Sequence, residues 1–323
     1  MAIQTIGLLT SGGDAPGMNP CIRAVVRTAL SKDLKVMGIR EGYSGLVDGD
    51  IVPLAARDVG GILQRGGTVL GTARSPEFME KSGQREAIRH LNEFAIDGLV
   101  VIGGDGSMRG ARALAEQGVK VVGVPGSIDN DLWGTNMAIG VDTALNTIRD
   151  AIDKLRDTAS SHRRAFLVET MGRDCGYLAV MAGLIGGAEM VLIPERETTV
   201  EEVAQLIENA YKRGKTHAII VVAEGASLKS IALAESLNSM DIGFKTRVTI
   251  LGHIQRGGRP SAFDRLLATR MGVAAVEALA RGESDVMVGL DGRDILPVPL
   301  EKVVAHKREA NLDYFEMARM LAF

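Results

Sequence analysis

Two stretches decide the fold: Leu99-Val100-Val101-Ile102-Gly103-Gly104-Asp105-Gly106-Ser107, and Val119-Lys120-Val121-Val122-Gly123-Val124-Pro125-Gly126-Ser127-Ile128-Asp129-Asn130-Asp131. Each opens as an apolar run of strand length, mostly β-branched, and ends in glycine and acid. Between them, residues 106–117 carry Ala111, Ala113, Leu114 and Ala115 and read as a helix. Strand, helix and strand in that order make a βαβ unit, with the two strands parallel neighbours. Both acidic clusters then leave the carboxyl ends of adjacent strands, where open α/β sheets bind ligands. Asp105, Asp129 and Asp131 are expected at one crevice beside glycine-lined backbone. That setting suits a metal ion and phosphate.

The same alternation extends in both directions. Ile3 to Leu9 reads as a strand, Thr10 to Gly17 as a glycine-rich turn and Met18 to Leu30 as a helix. The turn's glycines let backbone N–H groups approach an anion. Its spacing is neither GxGxxG nor GxxxxGK[ST], so phosphate binding and a plain strand–helix turn both stay open. Leu34 to Ile39 is a second strand, and residues 40–61 read as loop with short extended pieces. Arg65-Gly66-Gly67-Thr68 and Gly71-Thr72-Ala73-Arg74 set arginine beside small residues, either a solvated loop or a phosphate clamp. Lys81 to Phe94, Ala144 to Leu155, Gly176 to Ile185, Val200 to Tyr211 and Ser261 to Ala280 read as helices. Strands are expected at Ala165–Val168, Met190–Ile193, His217–Val222, Val248–Leu251 and Val286–Val288. The pattern predicts the α/β class: two doubly wound three-layer α/β/α domains with a cleft between them. Periodicity alone does not place their boundary.

Composition narrows the function classes. A chain of 323 residues is long enough for about two domains, and a net charge of −3 gives no general attraction to nucleic acid or anionic membrane. Aromatic residues are 4% of the chain, too few for a base-stacking platform. No apolar run reaches the ~18 residues of a membrane span, and Ile3 to Leu9 leads straight into Thr10-Ser11-Gly12-Gly13 rather than a cleavage site. Cys21 and Cys175 have no metal-type spacing and form no disulfide framework, which fits a reducing cytoplasm. The expected partners are small molecules, with no nucleic acid and no membrane.

Strand ends repeatedly carry side chains with chemistry: Asp105, Asp129, Arg173, Glu224 and His253. Singly, the acids read as loop or capping residues, Glu224 as a solvated strand end and His253 as a structural histidine. Jointly they fall within LTSGGDAPGMN (9–19), GGDGS (103–107), PGSIDND (125–131), MGR (171–173) and LGHIQRGG (251–258). On these five segments, in this order, the chain resembles the bacterial 6-phosphofructokinases.

The resemblance implies transfer of the terminal phosphate of ATP to the 1-hydroxyl of fructose 6-phosphate, giving fructose 1,6-bisphosphate and ADP in glycolysis. It makes Asp129 the general base and places the Ser127 hydroxyl on the transferred phosphate, where many members have threonine. Arg74 and Arg173 offset the charge of the transferring group. Gly13, Arg74, Ser75, Gly104, Asp105, Gly106, Ser107 and Gly110 fall at nucleotide positions, with Asp105 at the Mg²⁺ site and Asp131 close to the metal. Ser75 stands where many relatives carry an aromatic, so stacking on the adenine loses its platform there. The sugar phosphate falls to Ser127, Ile128, Asp129, Met171, Gly172, Arg173, Glu224, His253, Ile254, Gln255 and Arg256. Arg164 and Arg247 reach in from a neighbouring subunit, which makes a homotetramer with shared sites.

An ADP or phosphoenolpyruvate effector is implied at Arg23, Arg27, Arg156, Gly187, Glu189, Arg213, Lys215 and His217. Ala56 and Gly61 depart from the pattern, replacing an arginine and an acid of many relatives, so a weakened or altered response is expected. The family architecture implies a nucleotide domain over 1–140 plus about 255–305, and a sugar-phosphate domain over 141–254 plus about 306–323. Pyrophosphate-dependent relatives carry aspartate at the Gly106 position and lysine at the Gly126 position; glycine at both favours ATP. A non-catalytic sugar-phosphate sensor on the same fold would be expected to lose Asp129. A dehydrogenase would be expected to carry GxGxxG after the first strand.

Overall fold

The structure, a computed structural model describing residues 3–322, resolves the alternating pattern into two sheets. In chain order the strands are β1 (Thr5–Ser11), β2 (Lys35–Ile39), β3 (Ile51–Pro53), β4 (Gly98–Gly103), β5 (Val121–Pro125), β6 (Arg164–Thr170), β7 (Met190–Leu192), β8 (Ala218–Ala223), β9 (Lys245–Ile250), β10 (Val286–Asp291) and β11 (Asp294–Pro299). The helices are α1 (Met18–Leu30), α2 (Gly42–Asp48), α3 (Lys81–Glu93), α4 (Asp105–Ala115), α5 (Val141–His162), α6 (Tyr177–Gly186), α7 (Val200–Lys212), α8 (Ser230–Asn238), α9 (Ala262–Ala280), α10 (Leu300–Ala305) and α11 (Leu312–Leu321). The chain falls into two compact units. One runs to Ile128 and takes Leu132–Thr143 and Arg256–Lys307; the other takes Asp129–Asp131, Ala144–Gln255 and the chain from Arg308. The expected first range ran unbroken to 140. The structure instead lends Asp129–Asp131 to the second unit, because the chain crosses out and back within a few residues.

The first unit holds a sheet of order β11-β10-β5-β4-β1-β2-β3, parallel through its centre and antiparallel only at the edges β11 and β3. β1, β4 and β5 are buried at every position, which is why they read as unbroken apolar runs. Leu9, Leu99, Val101, Met108, Leu114 and Met287 belong to its core. The chain passes from β1 to β2 on one side, and β4 lies on the other, so the order reverses between β1 and β4. Ligands of open α/β sheets bind at such a reversal. Ser11 pairs in register with Gly103, and Gly103 with Pro125, so the three following loops leave one end of the sheet together.

Residues 42–48, expected as loop, form α2. Glycines at 42, 45 and 49 read as breakers, but packing uses them: a Cβ at Gly45 would overlap Arg40 O, and Gly49 ends the helix with φ 76°. Buried Tyr43 and Leu46 hold the helix on the core. α5 starts three residues before its expected position, at a junction built by Asp264. That carboxylate is buried and accepts from Gly140 N (2.9 Å), Thr143 N (2.8 Å) and Thr143 Oγ1 (2.5 Å). It therefore serves the free N–H groups at the start of α5. Burial pushes it up to about 6, against the lowering effect of those donors.

The second unit holds a fully parallel sheet of order β7-β8-β6-β9 over a core that includes Leu167, Ile207, Ile220, Val222 and Leu237. α7 begins with a capping box, Thr199 Oγ1 accepting from Glu202 N and the Glu202 carboxylate accepting from Thr199 N. β6 is flanked by β8 on one side and β9 on the other, with Thr170 opposite Ala223 and Glu169 opposite Ile250. The loops after β6, β8 and β9 therefore leave the sheet side by side.

Candidate active site

In the first unit, α4 begins at Asp105 behind an extended Gly104, and no side chain caps it. Its first N–H groups and the positive end of its dipole are available to an anion. Gly126 N donates to Gly103 O (2.9 Å) and Ser127 N to Ile139 O (3.1 Å), fixing the Ser127–Ile128 turn beside that helix start. The Ser107 Oγ is buried without a hydrogen-bond partner among the described residues, 3.2 Å from where a Gly12 Cβ would stand. A buried hydroxyl left in this way invites a polar ligand. Thr72 Oγ1 donates to Gly12 O (2.7 Å), bringing the second glycine–arginine segment onto the first loop. Arg74 lies exposed just beyond, and Ser75 Oγ accepts from Phe78 N (3.3 Å).

Two expectations change here. Gly13 faces a side chain of this chain: a Cβ there would meet the Arg256 guanidinium, the far end of a flexible side chain that can yield. Gly110 likewise makes room for the Tyr43 ring. Tyr43 was hidden in the stretch read as loop. Its hydroxyl donates to Ser107 O (2.7 Å), its ring stacks on Phe78 at 4.2 Å, and burial pushes its ionisation well up. Asp105 Oδ2 accepts from Arg109 Nε (3.0 Å). Among the described residues no group of three His, Cys, Asp or Glu is placed to hold a metal ion. One carboxylate beside phosphate-binding backbone fits Mg²⁺, which keeps several waters and takes phosphate oxygens.

In the second unit, Asp129 is 3% exposed and its Oδ2 lies 3.3 Å from Arg173 Nε. Arg173 sits at φ 52°, a left-handed conformation that costs a non-glycine residue free energy. Glu224 Oε1 offsets that cost by accepting from Arg173 N (2.8 Å) and Gly172 N (3.3 Å). Met171 N donates to Gln255 Oε1 (3.2 Å). His253 and Ile254 are exposed on the short turn Gly252–Gln255. Asp129, Met171, Gly172, Arg173, Glu224 and Gln255 are thus brought together. Arg164 is not among them: it is the first residue of β6, whose seven residues span roughly 20 Å. Arg247 pairs in register with Phe166 and lies exposed on the edge strand, also back from the loop end.

Most of the expected effector residues of this unit gather elsewhere. Arg156 donates to Gly187 O (3.0 Å) and Gly186 O, and faces His217 Nε2 at 3.3 Å. Glu189, 7% exposed, accepts from Ile219 N (2.6 Å) and Lys215 Nζ (3.3 Å). Burial lowers the His217 ionisation, opposed by Glu189 and aided by Arg156 and Lys215. Arg213 ends α7 nearby in sequence. Arg23 and Arg27 lie on α1 of the first unit.

Two α/β units, each with its loops at the carboxyl ends of parallel strands where the sheet order reverses, define a two-domain α/β class with an uncapped helix start in one unit and a buried carboxylate beside an exposed arginine in the other. The chain belongs to the phosphofructokinase family, whose model matches residues 5–279. A Thermotoga neapolitana protein named ATP-dependent 6-phosphofructokinase is 52% identical over 321 residues, 99% of this chain and 100% of that protein. One from Thermus thermophilus, named ATP-dependent 6-phosphofructokinase 1, is 50% identical over 321 residues with the same coverage. The crystal structure of Pichia pastoris phosphofructokinase in the T-state matches with a TM-score of 0.90 at 38% identity. It covers 94% of this chain, and this chain spans 36% of that one.

Proposed function

We propose that this chain is an ATP-dependent 6-phosphofructokinase, transferring the terminal phosphoryl group of ATP to the 1-hydroxyl of D-fructose 6-phosphate in glycolysis. The observation that carries the reading is the buried Asp129 carboxylate with Arg173 beside it. Asp129 takes the hydroxyl proton as the oxygen attacks, and Arg173 meets the charge of the transferring group. The Ser127 hydroxyl, the α4 start with Gly104 to Ser107, and Arg74 hold the phosphates. Asp105 would hold the Mg²⁺ carried with ATP, which would supply positive charge to the phosphates. ATP is favoured over pyrophosphate because a Cβ at Gly106 would meet nothing within 4 Å, leaving that space for the α-phosphate. A lysine at Gly126 would begin 3.3 Å from Ile102 and Met18 side-chain carbons. The first unit is assigned to the nucleotide and the second to the sugar phosphate, with Glu224, Met171, His253 and Ile254 on the sugar; Arg256, the first residue of the returning stretch of the first unit, is assigned to its phosphate.

The family resemblance assigns Arg164 and Arg247 to the site of a neighbouring subunit in a homotetramer, and their position back from the loop end of their own sheet accords with it. The enzyme is assigned to the cytoplasm; no helix among the described residues is long and apolar enough to cross a membrane. ADP or phosphoenolpyruvate binds weakly at the Arg156, Glu189, Lys215 and His217 cluster. Ala56 lacks a guanidinium, and loss of one charge-assisted contact costs ~1.5–3 kcal/mol. Titrating either effector against the fructose 6-phosphate saturation curve tests this, and a midpoint shift above about tenfold at micromolar effector contradicts it. The catalytic reading is tested by comparing binding with turnover. The kinase forms ADP from ATP only when fructose 6-phosphate is present; a sensor binds the sugar phosphate and leaves ATP intact.

A further inference from the structure

The turn after β6 carries Met171, Gly172 and Arg173 on three successive backbone N–H groups, and each N–H is taken up by a side chain from a neighbouring strand end. Glu224, at the end of β8, accepts from Gly172 N and Arg173 N. Gln255, after β9, accepts from Met171 N (3.2 Å), and its Nε2 donates to Gly252 O (3.0 Å). Glu224 N itself donates to Thr170 O (2.8 Å), and Leu251 N to Glu169 O (3.1 Å), so both neighbouring loops are anchored on the end of β6. Gln255 is 0% exposed, whereas His253 and Ile254 on the same turn are open to solvent. A ligand reaching His253 therefore does not reach the Gln255 amide. Both ends of that amide are already engaged with backbone, one in each of two loops.

We propose that Gln255 is a positioning residue and not a sugar ligand: its amide bolts the Met171–Arg173 turn to the Gly252–Gln255 turn and so sets the Arg173 guanidinium against Asp129. The proposal rests on the phosphofructokinase reading given above. Without the bolt, Met171 N loses its acceptor inside the protein, and a buried donor left unpaired drives a local shift. Arg173 follows two residues later in its left-handed conformation, with its Nε 3.3 Å from Asp129 Oδ2. Displacement of about 1 Å at a charge-stabilising group is enough to cost up to ~10²-fold in rate.

The test compares the parent with Gln255→Met, which keeps length and removes both hydrogen bonds, and with Gln255→Glu. When its carboxyl is protonated, Gln255→Glu restores one acceptor and one donor; when ionised, it sets a negative charge against Gly252 O. Parent turnover with ATP and fructose 6-phosphate is established first, and its absence refutes the phosphofructokinase reading rather than this one. With an active parent, Gln255→Met is expected to lower kcat about 10–100-fold. The KM for ATP is expected to stay within about threefold, and the KM for fructose 6-phosphate to change by less than kcat does, because Met171 shifts with the turn while no contact between Gln255 and a ligand is removed. The ratio of Gln255→Glu kcat to parent kcat is expected to rise as pH is lowered from about 8 to 6, since burial raises a carboxyl pKa. A loss confined to the fructose 6-phosphate KM identifies a ligand and overturns the proposal. So does a kcat within twofold of the parent, or a Gln255→Glu ratio that does not change with pH. If Gln255→Met does not fold, the pH-dependent ratio of Gln255→Glu decides alone.

Discussion

Gly225 follows Glu224, and its lack of a side chain is a direct condition on Arg173. An ideal Cβ at Gly225 would stand 1.9 Å from Arg173 O, 3.0 Å from Arg173 C and 3.5 Å from Asp174 Cα. Real Cβ atoms essentially never come closer than 3.0 Å to such a neighbour. Gly225→Ala must therefore drive the Arg173 backbone away by about 1 Å, because a carbonyl oxygen has no rotamer through which to yield. A movement of that size breaks the 3.3 Å approach of Arg173 Nε to Asp129 and the 2.8 Å bond from Arg173 N to Glu224. Misplacement of a charge-stabilising group by about 1 Å costs roughly 10²-fold, about 2.7 kcal/mol in the barrier. The assay is steady-state formation of fructose 1,6-bisphosphate at saturating ATP, with a thermal melt on the same sample. The expected result is a kcat lowered about 10²-fold with the KM for ATP unchanged. A folded variant turning over within twofold of the parent would show that the turn yields freely and that Arg173 placement does not govern the rate.

Asp129→Asn keeps the shape and removes the proton acceptor, so turnover is expected to fall on the order of 10²–10⁴-fold with sugar-phosphate binding largely kept; turnover near the parent value excludes Asp129 as the base. Mixing the inactive variants Asp129→Asn and Arg247→Ala is expected to regain activity after subunit exchange, since some sites then draw both intact residues from different chains; exchange with no recovery places each site within one chain. Asp264 has a folded pKa raised to about 6 from 3.8, so its favourable share of stability is present below about pH 4 and is lost as pH rises through about 6. Asp264→Asn holds the position neutral, and its unfolding free energy relative to the parent is expected to rise between pH 4.5 and pH 7, by on the order of 2 kcal/mol. A pH-independent difference would show that the buried carboxyl ionises as it does in water.

What the sequence revealed follows from local physics. β4 and β5 are buried on both faces, so their residues read as continuous apolar runs, and α4 follows within one glycine of its strand. Gly106 was legible as open space because glycine carries no side chain, whereas the crowding of Gly126 by Ile102 and Met18 comes from residues distant in sequence. The rest depends on contacts distant in sequence. Gly45 looked like a breaker until Arg40 O was found against it, and Tyr43 gains its role from Ser107 and Phe78. Asp264 lies in a segment read only as a helix, and its partners, Gly140 and Thr143 at the start of α5, are distant in sequence. Gln255 stood in a motif of exposed sugar-facing residues, and only burial distinguishes it from His253 and Ile254. Arg164 and Arg247 fell among the site positions by resemblance, while strand geometry sets them back from the turn at Arg173.

The central claim is phosphoryl transfer from ATP to the 1-hydroxyl of fructose 6-phosphate. Its most direct measurement is ³¹P NMR of the products formed by the purified chain from fructose 6-phosphate with Mg²⁺ and either ATP or pyrophosphate. The account predicts fructose 1,6-bisphosphate and ADP in equal amounts from ATP, at a rate on the order of 1–100 s⁻¹, and little product from pyrophosphate. Faster turnover with pyrophosphate, phosphate on another hydroxyl, or ATP hydrolysed without sugar bisphosphate would contradict it.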